Sequence, residues 1–217
     1  METAFTTRQF WLVWTVLFCN VTAGIGILEQ AAPMVQEFFG DVGPAEAAGY
    51  VGFLSLCNML GRLVWSSASD ALGRKRTYLG YLGLGGLLYL LIAVAGTSSV
   101  VLFVALTGVI LSFYGGGFST APAYLKDLFG TRNVGAIHGR LLTAWSLAGI
   151  AGPMIINVIA DIQLAAGREG PALYELSLQV MVGVMAVGLL ANALVRPLPA
   201  SALHKDGTKE EVVHDRD

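Results

Sequence analysis

The chain has 217 residues, of which 55% are hydrophobic and only 13% charged, with a formal net charge of −2. Soluble domains carry about 25% charged residues, so the composition excludes an ordinary water-soluble domain and points to one that sits in a bilayer. No run of basic residues with interleaved aromatics is present, which excludes a nucleic-acid partner.

Six apolar segments follow one another at 10–35, 47–69, 77–96, 100–125, 134–160 and 173–196. Each is near the ~20 residues that a helix needs to cross a membrane, and they are too long and unbroken for barrel strands. The expected fold class is therefore an all-α membrane protein with six transmembrane helices. The first segment is too long for a signal peptide, and it ends in Gln30-Ala31-Ala32-Pro33 without a convincing cleavage context. Asn20, at its middle, offers an amide to a substrate or to a neighbouring helix. Glu29, near its outer end, is open to water, with a proton-coupling role as the other reading.

The second segment holds Arg62, eight residues before Asp70. At helical rise that is roughly 12 Å inside the helix end, not far from the midplane of a core about 30 Å thick. A cation there is costly and is a functional candidate by default. Its planar fork could grip an anion, or the side chain could snorkel or pair with a helix-end carbonyl. The fourth segment carries Tyr114 mid-span, with a hydroxyl to offer. It also carries Phe118-Ser119-Thr120, which fails as an intramembrane serine nucleophile: Thr120 replaces the needed second Gly, and no His lies at matching depth. In the fifth, His138 and Arg140 lie near the inner end as interfacial anchors. Trp145 shares the depth of Arg62 and reads either as an aromatic cavity wall with one N–H donor or as helix packing. Gly149 and Pro153 mark a mid-span bend, used in movement or static.

The two cysteines, Cys19 and Cys57, lie inside apolar spans and lack disulfide or metal-ligand spacing. No paired carboxylates, phosphate-cradling loop or metal cluster is visible. Neither enzyme activity, metal nor cofactor is expected. A transmembrane domain is expected over 1–200 and a disordered cytoplasmic tail over 201–217, in which His204 and His214 read as solvated residues.

The connections alternate in charge. Glu37, Asp41 and Glu46 flank the first loop; Arg74, Lys75 and Arg76 the second; Lys126 and Arg132 the fourth; Asp161, Arg168 and Glu169 the fifth. Apart from Arg168, every Lys and Arg outside the spans falls on one side, so the positive-inside rule places both termini in the cytoplasm.

The block Ser66-Ser67-Ala68-Ser69-Asp70-Ala71-Leu72-Gly73-Arg74-Lys75-Arg76 resembles the loop signature of the major facilitator superfamily, between the second and third helix of each six-helix half. The family prefers Gly where Ser66 stands. Phe10-Trp11-Leu12 to Gly24-Ile25-Gly26-Ile27, Tyr114 to Phe118, Ala123 to Gly130, Val134 to Arg140 and Thr143 to Pro153 are similar to the second half of the oxalate/formate antiporter family. The resemblance covers residues 9–196 and implies helices seven to twelve of a twelve-helix carrier, with the first six absent from this chain. Monocarboxylate porters share an Arg eight residues before the end of the eighth helix, which Arg62 matches.

What the resemblance implies is a secondary transporter, in a bacterial inner membrane, for a small organic anion. Oxalate-exchanging members carry a Lys where Trp145 stands, so a monocarboxylate such as formate, pyruvate or lactate is the expected substrate, moved by antiport or with a proton. Arg62, Trp145, Tyr114 and Asn20 would line its site. Ser66, Asp70, Gly73, Arg74 and Lys75 would form the cytoplasmic gate. The expected partners are the substrate, the lipid bilayer, and a separate N-terminal six-helix half or a second copy of this chain. The other reading is a truncated or split gene product without transport of its own.

Overall fold

The computed structural model describes residues 5–131 and 134–197. The expected tail over 201–217, with His204 and His214, and the loop residue Arg132 lie outside them. Among the described residues, six helices are long and apolar enough to cross a membrane. They are α1 (Arg8–Phe38), α2 (Pro44–Leu72), α3 (Arg74–Ala95), α4 (Val100–Phe129), α5 (Val134–Ala165) and α6 (Ala172–Leu194). A single 3-10 turn, Gly96–Ser98, follows α3. The helices run from 22 to 32 residues. That is about 33–48 Å at helical rise, longer than the ~30 Å hydrocarbon core, so their ends emerge or their axes tilt.

Local chemistry sets the ends. Thr7 caps α1, its hydroxyl accepting from the Phe10 N–H at 3.3 Å. Pro44 opens α2 at a position where its missing N–H costs nothing. Gly73 closes α2 and Gly130 closes α4 with φ of 86° and 79°, a backbone state that favours glycine. Pro33, Pro122 and Pro153 lie inside α1, α4 and α5. Each lacks the N–H that would bond the carbonyl four residues back, yet each helix continues past it.

α1 is the hub: it touches all five other helices. α1 and α4 are the most enclosed helices, whereas α2 and α5 turn most of their apolar surface outward. Lipid tails are as apolar as leucine, so close backbone approach and hydrogen bonds hold such a bundle together. On α2 and α4, Gly61 faces the Ser112 backbone and Gly115 faces the Asn58 backbone, so an added Cβ at either would overlap main-chain atoms. Trp65 Nε1–H donates to Ser112 Oγ at 3.1 Å across the same contact. α3 is pinned by tyrosines: Tyr78 donates to the Gly117 carbonyl, and Tyr89 donates to the Ala23 carbonyl at 2.6 Å. α1 and α5 are joined by Gln30 donating to Asn157 Oδ1 at 2.5 Å.

Candidate functional site

Arg62 lies on α2, half-buried, one helical turn after Asn58. Residues four apart share a helix face, and the Nε–H of Arg62 donates to Asn58 Oδ1 at 3.2 Å. Its guanidinium carbon stands 5.1 Å from the centre of the Phe118 ring on α4, a cation–π contact. The Phe118 ring in turn meets Trp145 of α5 edge-on, with centroids 4.1 Å apart. Trp145 also contacts Tyr114, one turn before Phe118, at 6.4 Å, and the Tyr114 hydroxyl lies within electrostatic reach of Arg62. Ser119 Oγ–H donates to the Arg62 carbonyl at 3.1 Å, which fixes this level of α2 against α4.

Three of the four expected substrate residues, Arg62, Tyr114 and Trp145, thus form one cluster across α2, α4 and α5. No carboxylate pairs with Arg62 among the described residues. With Nε taken by Asn58, the two terminal nitrogens are left as the free edge of the fork, the geometry that grips a carboxylate with two parallel hydrogen bonds.

Asn20 lies at the contact of α1 with α4. It is only 1% exposed and packs against Gly117 of α4. Its amide oxygen and nitrogen have no partner among the described residues. Two residues not expected at the site, Asn58 and Phe118, complete the setting of Arg62. Asn58 carries a sequence signal in its four-residue spacing from Arg62, whereas Phe118 is one apolar residue in an apolar span. His138 lies beside the Phe118 ring, at 6.5 Å between centroids. The Arg140 guanidinium carbon stands over the Phe5 ring, 4.0 Å from its centre.

The loop between α2 and α3 forms a second assembly at the end of the bundle. The Arg74 guanidinium donates to Ser69 Oγ and to Asp70 Oδ1, and it stands 3.9 Å from Asp127 of α4. Ser69 Oγ–H donates to the Ser66 carbonyl at 2.7 Å. Lys75 Nζ donates to the carbonyls of Ala193 and Val195, at 2.9 and 2.7 Å, and so caps the end of α6. Asn192 closes the ring: its amide donates to the Lys75 carbonyl at 2.9 Å and accepts from Tyr124 at 3.0 Å. Ser66, Asp70, Gly73, Arg74 and Lys75 therefore share one network that joins α2, α3, α4 and α6. Asp127, Tyr124 and Asn192 are the members that sequence reasoning missed.

The model of the Major Facilitator Superfamily matches residues 23–215. The chain is similar to the oxalate:formate antiporter of Oxalobacter formigenes, 26% identical over 149 residues, which are 67% of this chain and 34% of that protein. It is similar to the major facilitator-type transporter hxnZ of Emericella nidulans, 32% identical over 164 residues, 74% of this chain and 26% of that one. Apicoplast pyruvate carrier 1 of Toxoplasma gondii is 28% identical over 153 residues, 64% of this chain and 26% of the carrier. The chain thus spans between 26% and 34% of the length of these curated relatives.

Proposed function

Because the chain belongs to the major facilitator superfamily, we propose that it forms half of a twelve-helix secondary transporter and grips a small organic anion. The substrate is a monocarboxylate such as formate, pyruvate or lactate, moved by antiport or proton symport. The observation that carries this reading is the unpaired Arg62. A guanidinium inside a spanning helix, held by Asn58 and Phe118 and lacking a counter-ion among the described residues, is stabilised best by an anion that arrives from outside. Trp145 puts an aromatic ring where a second cation would serve a second carboxylate, which favours one carboxylate over two. Two relatives agree in kind, one named as an oxalate:formate antiporter and one as a pyruvate carrier.

Tyr114 offers its hydroxyl beside the bound anion. Asn20 is the reserve donor, reached only when α1 and α4 part. The network of Ser66, Asp70, Gly73, Arg74 and Lys75 acts as a latch on the cytoplasmic side, made and broken as the helices move. The loop charges support cytoplasmic termini, and the membrane is the plasma membrane of a bacterium. The opposite wall of the site comes from a second six-helix unit. No bond is made or broken in the substrate, so the protein is not an enzyme.

The test is binding of formate, pyruvate, lactate and oxalate to the purified chain in nanodiscs, read as a thermal shift. Stabilisation by a monocarboxylate that vanishes in Arg62→Ala supports the reading. Stabilisation that persists in Arg62→Ala removes Arg62 from the site. A second reading is favoured by the outward apolar faces of α2 and α5: a helical module that packs against other membrane helices without transport of its own. Under it, no carboxylate shifts the melting of the well-folded chain, alone or co-expressed with a first-half unit.

A further inference from the structure

At the end of the bundle that carries the α2–α3 loop, a cavity of about 570 Å³ opens between the start of α3, the end of α4 and the end of α6. Its wall is of two kinds. Leu79, Leu128 and Val195 line an apolar part, and Arg74, Lys75 and Arg76 a cationic part. The three cations differ in what they are free to do. Arg74 is turned into the fold, where its side chain is 15% exposed and bound to Asp70. Asp127, which also lines the cavity, faces Arg74 at 3.9 Å and serves as its second counter-ion. Lys75 gives two of its three N–H bonds to backbone carbonyls and has no carboxylate partner among the described residues. Arg76 is exposed and forms no hydrogen bond or ion pair with any described residue. Two positive charges without a carboxylate partner among the described residues therefore face one cavity.

The apolar part of the wall reaches outward. Leu72 and Leu79 are 55% and 50% exposed, and both line the cavity. The cavity lies where four helix ends meet, at the boundary between the apolar spans and water. A small soluble anion would use the cations and leave the leucines idle. An amphiphile with an anionic head uses both.

We propose that this cavity binds the headgroup of an anionic phospholipid. Its phosphate sits against Arg76 and the remaining N–H of Lys75, and its acyl chains run down over Leu72 and Leu79. Basic pockets between transmembrane helices are suited to such headgroups. The site is separate from the Arg62 cluster and stands whether or not Arg62 binds a carboxylate.

The test uses the full chain in detergent and three probes: phosphatidylglycerol, phosphatidylcholine and water-soluble glycerol 3-phosphate. Retained lipid is read by native mass spectrometry and stability by thermal melting. Phosphatidylglycerol is expected to be retained and to raise the melting temperature, while the other two do neither. Arg76→Gln is expected to lower retained phosphatidylglycerol at least threefold, and Arg76→Lys to keep most of it. Arg8→Gln removes a cation from the same end of the bundle, outside the cavity, and is expected to change nothing. The proposal is overturned if glycerol 3-phosphate stabilises the chain as well as the lipid does, which would mark a soluble-anion site. It is equally overturned if Arg8→Gln and Arg76→Gln reduce retention alike, or if Arg76→Gln has no effect in a folded sample.

Discussion

Arg62 is set up by its neighbours more than by its charge. Asn58 takes Nε and the guanidinium carbon stands over the Phe118 ring, so the free edge is the pair of terminal nitrogens. A lysine at this position keeps the charge and loses the fork and the Asn58 bond. Arg62→Lys is therefore expected to weaken monocarboxylate binding about tenfold, or ~1.4 kcal/mol, in a competition assay. Asn58→Ala leaves the cation free to rotate, and the expected loss is smaller, about threefold to tenfold. In an Arg62→Ala background Asn58→Ala should cost nothing more; an additive loss would mean that Asn58 acts on its own. Trp145→Lys places a second cation beside the same ring cluster. It is expected to shift preference from formate towards oxalate by about tenfold, and unchanged preference would show that Trp145 lies off the substrate path. Depth along the helix grouped Arg62, Tyr114 and Trp145 from sequence, because helical rise is fixed. The direction of Asn20 was not legible in the same way. An apolar helix in lipid has no polar face to mark its rotation, and Asn20 turns towards Gly117.

At the scale of helices, the α2–α4 contact decides whether the cluster exists at all. Gly115 lies against the Asn58 backbone, while Gly52 on α2 has nothing near its missing side chain. Gly115→Ala is expected to push α2 from α4 at a cost of about 1–3 kcal/mol, as overpacking does. It should lower both the melting temperature and carboxylate binding, since Asn58 moves with the backbone. Gly52→Ala should leave both unchanged or slightly raise stability. If the two variants melt alike, the close approach is not holding α2 in place. The spans themselves were readable because a bilayer demands long apolar runs. Their ends were less so: α4 continues through Lys126 and Asp127 to Phe129, and α5 to Ala165. Outside the hydrocarbon core a helix no longer needs apolar side chains, so hydropathy stops marking it. Gly73 was legible as a turn from its sequence block, and its φ of 86° agrees. The Lys75 cap on α6 joins residues 118 and 120 apart in sequence, and no local pattern announces such a bond.

For the molecule as a whole, the outward faces of α2 and α5 bear on transport. Leu56, Met59 and Leu63 on α2, and Leu147, Ile150 and Met154 on α5, are all exposed. The Arg62 cluster lies across α2, α4 and α5, where Arg62, Phe118 and Trp145 remain only partly covered. One bundle can thus hold an anion against its surface, but it cannot enclose it, and alternating access needs a second wall that rocks against the first. The expected outcome follows from that geometry. The monomeric chain in proteoliposomes should bind a monocarboxylate in an Arg62-dependent way, yet show no counterflow of labelled formate or pyruvate above the Arg62→Ala background. Counterflow should appear only when a second six-helix unit is co-assembled, or when the recovered mass is that of a dimer. Counterflow by a preparation shown to be monomeric would overturn the two-wall argument, because it would require six helices to open to both sides in turn around a site that this bundle covers on one side only.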